Sequence, residues 1–267
     1  NFESYLLSKV GKTAYNLFYY SFTKKFWGVE PKSLNADWAK IRSLSFNCNG
    51  DKRAFSAKYQ GYPETDYNDL ISGLAKGCRI IKARVNKFLK EPIVDGEPIK
   101  GDFYISTIRI DDLFDCKFGS LKFKGIKQEI EILNREYYFL HISSNGKRFS
   151  WVYYPNDFNY TRICEYKNIN LKPSPKTLIA KEYPTDKLSY YPFYSESTEH
   201  LFKKYLIEVS KINNLLTMGR LGLYFYLTMS DIIKICFKFK DFVYEYPSLT
   251  QEERLKRYNR IRAPIND

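Results

Sequence analysis

The chain has 267 residues, 44% of them hydrophobic, which excludes a disordered or fibrous polypeptide and allows one large domain or two modest ones. Its 43 Lys and Arg against 30 Asp and Glu give a formal charge of +13, a balance that draws phosphates, nucleic acid or an anionic surface. No run approaches the roughly 18 apolar residues of a membrane span. The five cysteines, Cys48, Cys78, Cys116, Cys164 and Cys236, stand singly, as expected of a reduced, cytoplasmic chain, and the two histidines, His141 and His200, have no ligand-like spacing for a metal.

In chain order, Leu6, Leu7, Val10, Ala14, Leu17, Phe18 and Phe22 recur at helical steps, and Gly11 predicts two helices there rather than one. A loop with a short helix follows over "VEPKSLNADWAKI". Tyr67, Leu70, Ile71 and Leu74 then mark an amphipathic helix after an Asp/Thr-rich entry, and "CRIIKARV" reads as a strand. "DFYISTI" reads as a buried strand, and "SLKFKGIKQEIEIL" alternates as a half-exposed one. In "YYFLHISSNGKRFSWVYY" two aromatic, β-branched runs flank Asn145-Gly146, the residues that a tight hairpin turn with positive φ prefers. "TRICEYKNI" and "KTLIAKEYP" add two strands. "STEHLFKKYLIEVSKI" is a helix capped by Ser197 or a neighbour, "NLLTMGRLG" a strand entering a glycine turn, and "SDIIKICFKFKDFVYEY" the last helix. The fold class expected is α+β. Residues 1–76 form a mainly helical region, 77–190 a mostly antiparallel sheet, and 191–267 C-terminal helices.

Several stretches, in one collinear order, carry a resemblance. They are "SKVGKTAYNLFYYSFTKKFWG", "KYQGYP", "FDCKFGSLKFK", "YTRICEYK", "KEYP", "YYP", "LFKKY" and "GRLGLYFYLTM", spread over roughly residues 2 to 233. Together they resemble the UDP-galactopyranose mutases, flavoenzymes that interconvert UDP-galactopyranose and UDP-galactofuranose for cell-surface polysaccharides. The resemblance implies reduced FAD as cofactor, a UDP-sugar as substrate, and a remnant of a Rossmann-like flavin domain in the C-terminal part. It places Arg162 and Tyr226 at diphosphate-binding positions next to the reaction. Phe18, Thr23 and Trp27 fall on the uridine and diphosphate pocket, and Lys124 stands where the family has an arginine. Tyr190 and Tyr191 both cover the family's phosphate-binding tyrosine, and the choice between them stays open. Gly219, Arg220 and Met229 fall beside the flavin.

The pattern departs from the family at several positions. Thr228 stands for an aspartate, Ala54 and Phe22 for tyrosines, and Ile41 for an arginine, with Arg42 adjacent. Thr65-Asp66 and Met218 stand for glycines. No G-x-G-x-x-G fingerprint occurs in the 267 residues, so the chain by itself is expected not to hold FAD. A flavin-domain remnant without its opening strands would expose apolar surface unless it repacks or forms a homodimer. The competing readings are a non-catalytic module for UDP-sugars or polyanions and a nucleic-acid binder; no RNP-like, helix-turn-helix or zinc signature supports the latter.

Overall fold

The computed structural model describes residues 1–36, 59, 61–88, 91–142, 146–170 and 173–262. Helix α1 (Phe2–Ala14) opens on Asn1, whose side-chain oxygen accepts the Ser4 N–H, and kinks where Gly11 takes φ +72°. That left-handed conformation suits glycine, so the two helical pieces expected around Gly11 are present. A π-helical turn, Tyr15–Tyr19, leads into α2 (Tyr20–Trp27), which stops on Gly28 in the left-handed helical conformation. Helix α3 (Tyr67–Leu74) is capped by Asp66. Strands β1 (Val85–Phe88), β2 (Pro92–Val94), β3 (Glu97–Pro98) and β4 (Tyr104–Ser106) precede the short helix α4 (Ile110–Leu113). Next come β5 (Phe123–Leu133), β6 (Trp151–Tyr153), β7 (Arg162–Glu165), α5 (Lys167–Asn170), β8 (Thr177–Thr185) and β9 (Tyr191–Pro192). The chain continues through α6 (Glu196–Ser210), β10 (Leu215–Thr217), α7 (Gly219–Gly222), α8 (Met229–Lys238), α9 (Lys240–Glu245) and α10 (Gln251–Arg262).

These elements form two compact units. The first contains residues 1–81 and 126–185, the second residues 82–125 and 186–267. The interval 77–190 is thus shared between them.

The first unit is built on antiparallel strands in the order β6-β7-β8-β5. Ile163 pairs with Lys181 and Cys164 with Ala180, so alternate residues of β7 and β8 reach one buried layer. Phe139, Ile163 and Ile179 are its centre, with Leu133, Tyr138, Val152, Tyr154 and Tyr160 around them. Glu165 is fully buried there and accepts the Tyr138 and Phe139 N–H groups, the Asn168 amide and the Thr177 hydroxyl. Four donors on one carboxylate satisfy a charge that would otherwise be costly to bury. An isolated antiparallel bridge pairs Ile142 with Arg148 across Gly146, whose φ is +76°, as a hairpin there requires. Asn145 itself lies outside the described residues.

In the second unit, β1, β2 and β3 form a small antiparallel sheet, and β4 and β10 a parallel pair. Phe88, Leu113 and Leu215 pack together with Tyr104, Ile108, Phe114 and Ile212. Helix α6 buries Phe202, Tyr205, Leu206 and Val209, a three-and-four stripe. Its cap is Ser195, in a reciprocal box with Thr198. Where β5 begins, Phe123 and Lys124 pair with Pro192 and Tyr191 of β9.

Several local expectations change. Of "CRIIKARV" only Val85 is in a strand; among the described residues the ladder with β2 begins there, and Arg84 just before it bonds only to Asp95 of the turn. The strand inside "DFYISTI" is short, and Ile105 in its middle is 55% exposed rather than buried. Tyr67, Leu70, Ile71 and Leu74 do lie on a helix, yet all four are exposed. "SDIIKICFKFKDFVYEY" is two helices, α8 and α9, and α10 follows them.

Candidate functional site

In the second unit Lys124, Tyr190, Tyr191, Arg220 and Tyr226 come together. The β5–β9 register sets Lys124 opposite Tyr191, and the Tyr190 N–H donates to the Lys124 carbonyl at 3.1 Å. Arg220, on the four-residue helix α7, turns back over the segment that follows it. Its Nε and Nη2 donate to the Leu227 carbonyl and its Nη1 to the Tyr190 carbonyl. A guanidinium carries five N–H donors, so one remains on each Nη after these bonds. The same guanidinium lies 4.6 Å from the Tyr226 ring centre and 5.4 Å from that of Tyr191. The two rings stack at 5.9 Å with 16° between their planes. The result is a cation held against two parallel phenols, which is a chemically sensible receiver for a phosphate.

Tyr224 places Tyr226. Its backbone sits at φ +44°, unusual for a non-glycine residue, and its ring is fully buried. The Tyr224 Oη lies 2.7 Å from the carbonyls of both Lys122 and Phe193. Burial raises its pKa, so the phenol stays protonated and can donate. The Tyr226 N–H donates to Tyr194 Oη, itself buried. Neither Tyr194 nor Tyr224 is a candidate from the sequence; for Tyr224 the only signal is the aromatic spacing in "GLYFY", which reads equally well as core.

Lys124 is 10% exposed at its side chain, and its ammonium donates to Asp186 Oδ1 at 2.6 Å. The Asp186 side chain is 81% exposed, so the pair sits at the water boundary. Gly219 follows β10 at φ +76°, and Met229, at the first turn of α8, is 47% exposed.

The other candidates lie in the first unit. Arg162 on β7 donates from Nε to Glu182 Oε2 at 2.5 Å and from Nη1 to Tyr153 Oη at 3.2 Å. Burial works against its charge, but the Glu182 carboxylate outweighs that and the Arg162 pKa rises. Tyr153 meets Phe18 and Phe22 edge-on, at 6.1 and 5.8 Å. Phe18 stacks on Phe22 and Phe22 on Phe26, so these three share one helical face. Thr23 and Trp27 are 3% and 5% exposed. Ile41, Arg42 and Ala54 lie outside the described residues.

One acidic cluster has the look of a metal site. Asp111, Asp112 and Cys116 bring ligand atoms within 4.8 Å of one another. Asp111, however, already receives two N–H groups of Arg109 and the Leu121 N–H, and forms a buried ion pair instead.

The matching family model, described as UDP-galactopyranose mutase, covers residues 17–226. The chain belongs to the UDP-galactopyranose mutase family. Its relatives in this family include a dTDP-fucopyranose mutase of Escherichia coli, 28% identical over 242 residues, which are 88% of this chain and 61% of that protein. A UDP-galactopyranose mutase of Mycoplasma genitalium is 30% identical over 240 residues, 82% of this chain and 56% of that one. A crystal structure of reduced UDP-galactopyranose mutase superposes with a TM-score of 0.58 at 13% identity, over 98% of this chain and 67% of its own. That likeness shows the mutase fold. The chain thus spans about three fifths of the length of these curated mutase relatives.

Mutases of this family are flavoenzymes, and FAD is ordinarily held with its pyrophosphate on the N-terminus of a helix after a G-x-G-x-x-G turn. The 267 residues contain no G-x-G at all, and the glycine-led helix here, α7, is a single turn with Arg220 folded back. The described residues therefore do not offer the pyrophosphate of FAD that cradle. Among the described residues, no helix is long and apolar enough to cross a membrane.

Proposed function

We propose that this chain is the nucleotide-sugar-handling part of a cytoplasmic UDP-galactopyranose mutase, which binds the diphosphate of UDP-galactose and does not retain FAD by itself. The observation that supports this most directly is the Arg220 guanidinium held against the stacked Tyr191 and Tyr226 rings. In this reading Arg220 spends its two remaining N–H donors on phosphate oxygens, and the phenols of Tyr191 and Tyr226 donate beside it. When the anomeric carbon–oxygen bond breaks, negative charge collects on the departing diphosphate. A fixed cation and fixed phenols stabilise that charge without reorganising. Lys124 adds a second positive charge, but it must first leave Asp186 or share with it. The names of the relatives include both a UDP-galactopyranose and a dTDP-fucopyranose mutase, so the diphosphate is the common feature to test first.

The experiment is calorimetric titration of the purified chain with UDP, beside a visible absorbance scan for flavin. The expected result is UDP binding with a Kd between about 1 μM and 1 mM, corresponding to roughly 8 to 4 kcal/mol, and no flavin spectrum. A folded chain that takes up no UDP at millimolar concentration refutes the nucleotide reading. A chain that purifies with stoichiometric FAD refutes the cofactor part.

A further inference from the structure

Helix α10 lies wholly beyond residues 17–226, the stretch that the family model matches. It is nonetheless fastened to the second unit at three places. Arg254 donates from Nε to the Tyr246 carbonyl and from Nη1 to the Ser210 carbonyl, at 3.1 and 2.8 Å. Tyr258 Oη accepts the Thr217 N–H at 3.0 Å, which holds the helix to the strand that leads into Gly219 and Arg220. Arg262, its last residue, makes the third attachment. A cation in the last turn of a helix ordinarily meets water or the final carbonyls. Here the side chain is 12% exposed, and Nη1 and Nη2 donate to Glu199 Oε1 and Oε2 of α6, each at 2.8 Å, as a two-pronged pair. The Arg262 Cζ also lies 4.1 Å from the Phe202 ring centre and 5.7 Å from that of Phe225.

Stability alone does not account for an arginine at this place. Its Nε is buried with no hydrogen-bond partner among the described residues, which costs the fold free energy. A buried ion pair is seldom better for a fold than apolar side chains of the same size. What the guanidinium does reach is the neighbour of a site residue. Phe225 is buried and directly precedes Tyr226. Tyr194 packs edge-on against Phe225, ring centres 6.5 Å apart, and its Oη accepts the Tyr226 N–H. Arg262 and Tyr194 thus both bear on Phe225, and the peptide group that joins it to Tyr226 is hydrogen-bonded in place. That group is planar and stiff, so a displacement of Phe225 is passed on to Tyr226. The Tyr226 ring is the one that lies 4.6 Å from the Arg220 guanidinium and stacks on Tyr191.

We propose that Arg262 is a positioning residue for the diphosphate site: through Phe225 it sets the place of the Tyr226 phenol, and so makes the C-terminal helix part of the nucleotide-sugar site. The proposal deepens the nucleotide reading above and rests on it for the role of Tyr226. Arg262 itself touches no ligand in this scheme. The planar fork is what the place requires, because one flat cation both grips the Glu199 carboxylate with two N–H groups and lies against two rings, which a lysine ammonium cannot do.

The test uses the full chain labelled with 3-fluorotyrosine, in which the Tyr226 fluorine resonance is identified by its loss in Tyr226→Phe. Arg262→Met keeps the bulk of the side chain and removes the fork. It is expected to unfold in urea at the midpoint of the parent, to shift or broaden the Tyr226 resonance, and to weaken UDP binding by calorimetry at least about fivefold, the scale of one hydrogen bond. A residue that served stability alone would move midpoint and affinity together. If the single variant does not fold, Arg262→Met/Glu199→Gln also removes the carboxylate left without its partner. Arg257→Met is the control on the same helix: Arg257 pairs with Glu245 at 2.9 Å, and its loss should leave both the resonance and the UDP affinity at their parent values. An unmoved Tyr226 resonance in the Arg262 variants overturns the proposal. So does a resonance that moves while UDP affinity stays at the parent value, since Arg262 would then place the ring without serving the site. The fluorine signal does not depend on UDP. A parent chain that binds no UDP removes the nucleotide reading, whereas UDP binding that is indifferent to Arg262 removes only the role assigned to that residue.

Discussion

Arg162 shows how a charge can be both buried and available. Its Nε is committed to Glu182, which is 2% exposed and also accepts from Gln128 Nε2 at 3.2 Å. That fixes the plane of the guanidinium beside Tyr153 and leaves N–H donors on its outer end. Arg162→Ala should weaken UDP binding by about 1.5–3 kcal/mol if those donors grip phosphate, the range for hydrogen bonds to charged groups. The substitution also strands Glu182, and breaking such a buried pair destabilises a fold by several kcal/mol, so the variant is paired with Arg162→Ala/Glu182→Gln. Calorimetry on whichever variant keeps its near-UV circular dichroism decides the point; an affinity equal to that of the parent chain shows that Arg162 does not bind the diphosphate. The sequence pattern led to Arg162, but not to Glu182, because the cross-strand pairing that joins them is set by the β7–β8 register. Thr23 and Trp27, named from the resemblance, are both buried on α2, and the π-helical turn that leads into that helix left no sign in the sequence pattern.

Thr228 stands where the family pattern has an aspartate, and the helix it begins explains why a short polar residue is still required. It is the N-cap of α8: Thr228 Oγ1 accepts the Asp231 N–H at 3.2 Å, and Asp231 Oδ2 accepts the Thr228 N–H at 2.8 Å. Threonine and aspartate both cap well, whereas alanine forfeits about 0.5–2 kcal/mol. Thr228→Ala should therefore lower the unfolding free energy by about 1 kcal/mol, and Thr228→Asp should leave it within a few tenths. Urea denaturation followed by far-UV circular dichroism measures both, and an alanine variant as stable as the parent would mean that packing of α8 outweighs its cap. Elements with a strong local signature, such as α6 with its three-and-four stripe, were legible in the sequence. Helix α10 was overlooked, although Thr250 and Glu253 form a reciprocal cap and Arg254, Tyr258 and Ile261 supply its buried stripe. Its run of charges masked that periodicity, since the buried arginine pays for its place with backbone carbonyls of Tyr246 and Ser210 rather than with a carboxylate. "CRIIKARV" failed in the other direction: β-branched residues favour a strand only where a neighbour completes the ladder.

At the scale of the whole molecule, the polypeptide changes unit at residues 81/82, 125/126 and 185/186, so neither unit is a continuous stretch of sequence. Composition along the chain cannot reveal such an exchange, because residues 82–125 and 186–267 share a core without sharing a local pattern. What composition does show is 24 tyrosines, and the second unit buries several of them. Tyr194, Tyr224 and Tyr246 are each at most 8% exposed, and burial raises the pKa of all three above the ordinary phenol value. The sign follows from linkage. A phenol with a raised folded-state pKa keeps its proton in the native state after the unfolded chain has lost it. Its stabilising contribution is complete below pH 10 and is lost as the pH rises toward the folded value. Each such tyrosine should therefore lower the unfolding free energy by about 1.4 kcal/mol per pH unit above 10. Thermal unfolding between about pH 9 and about pH 11.5 should accordingly show Tm falling steeply above pH 10, in a range where exposed phenols titrate without effect on folding. Tyr246→Phe removes one titrating group while keeping the ring, and should make that fall shallower. A Tm that stays level across this range would mean that water reaches these rings, and the core of the second unit would then be looser than the packing of Tyr224 and Tyr246 implies.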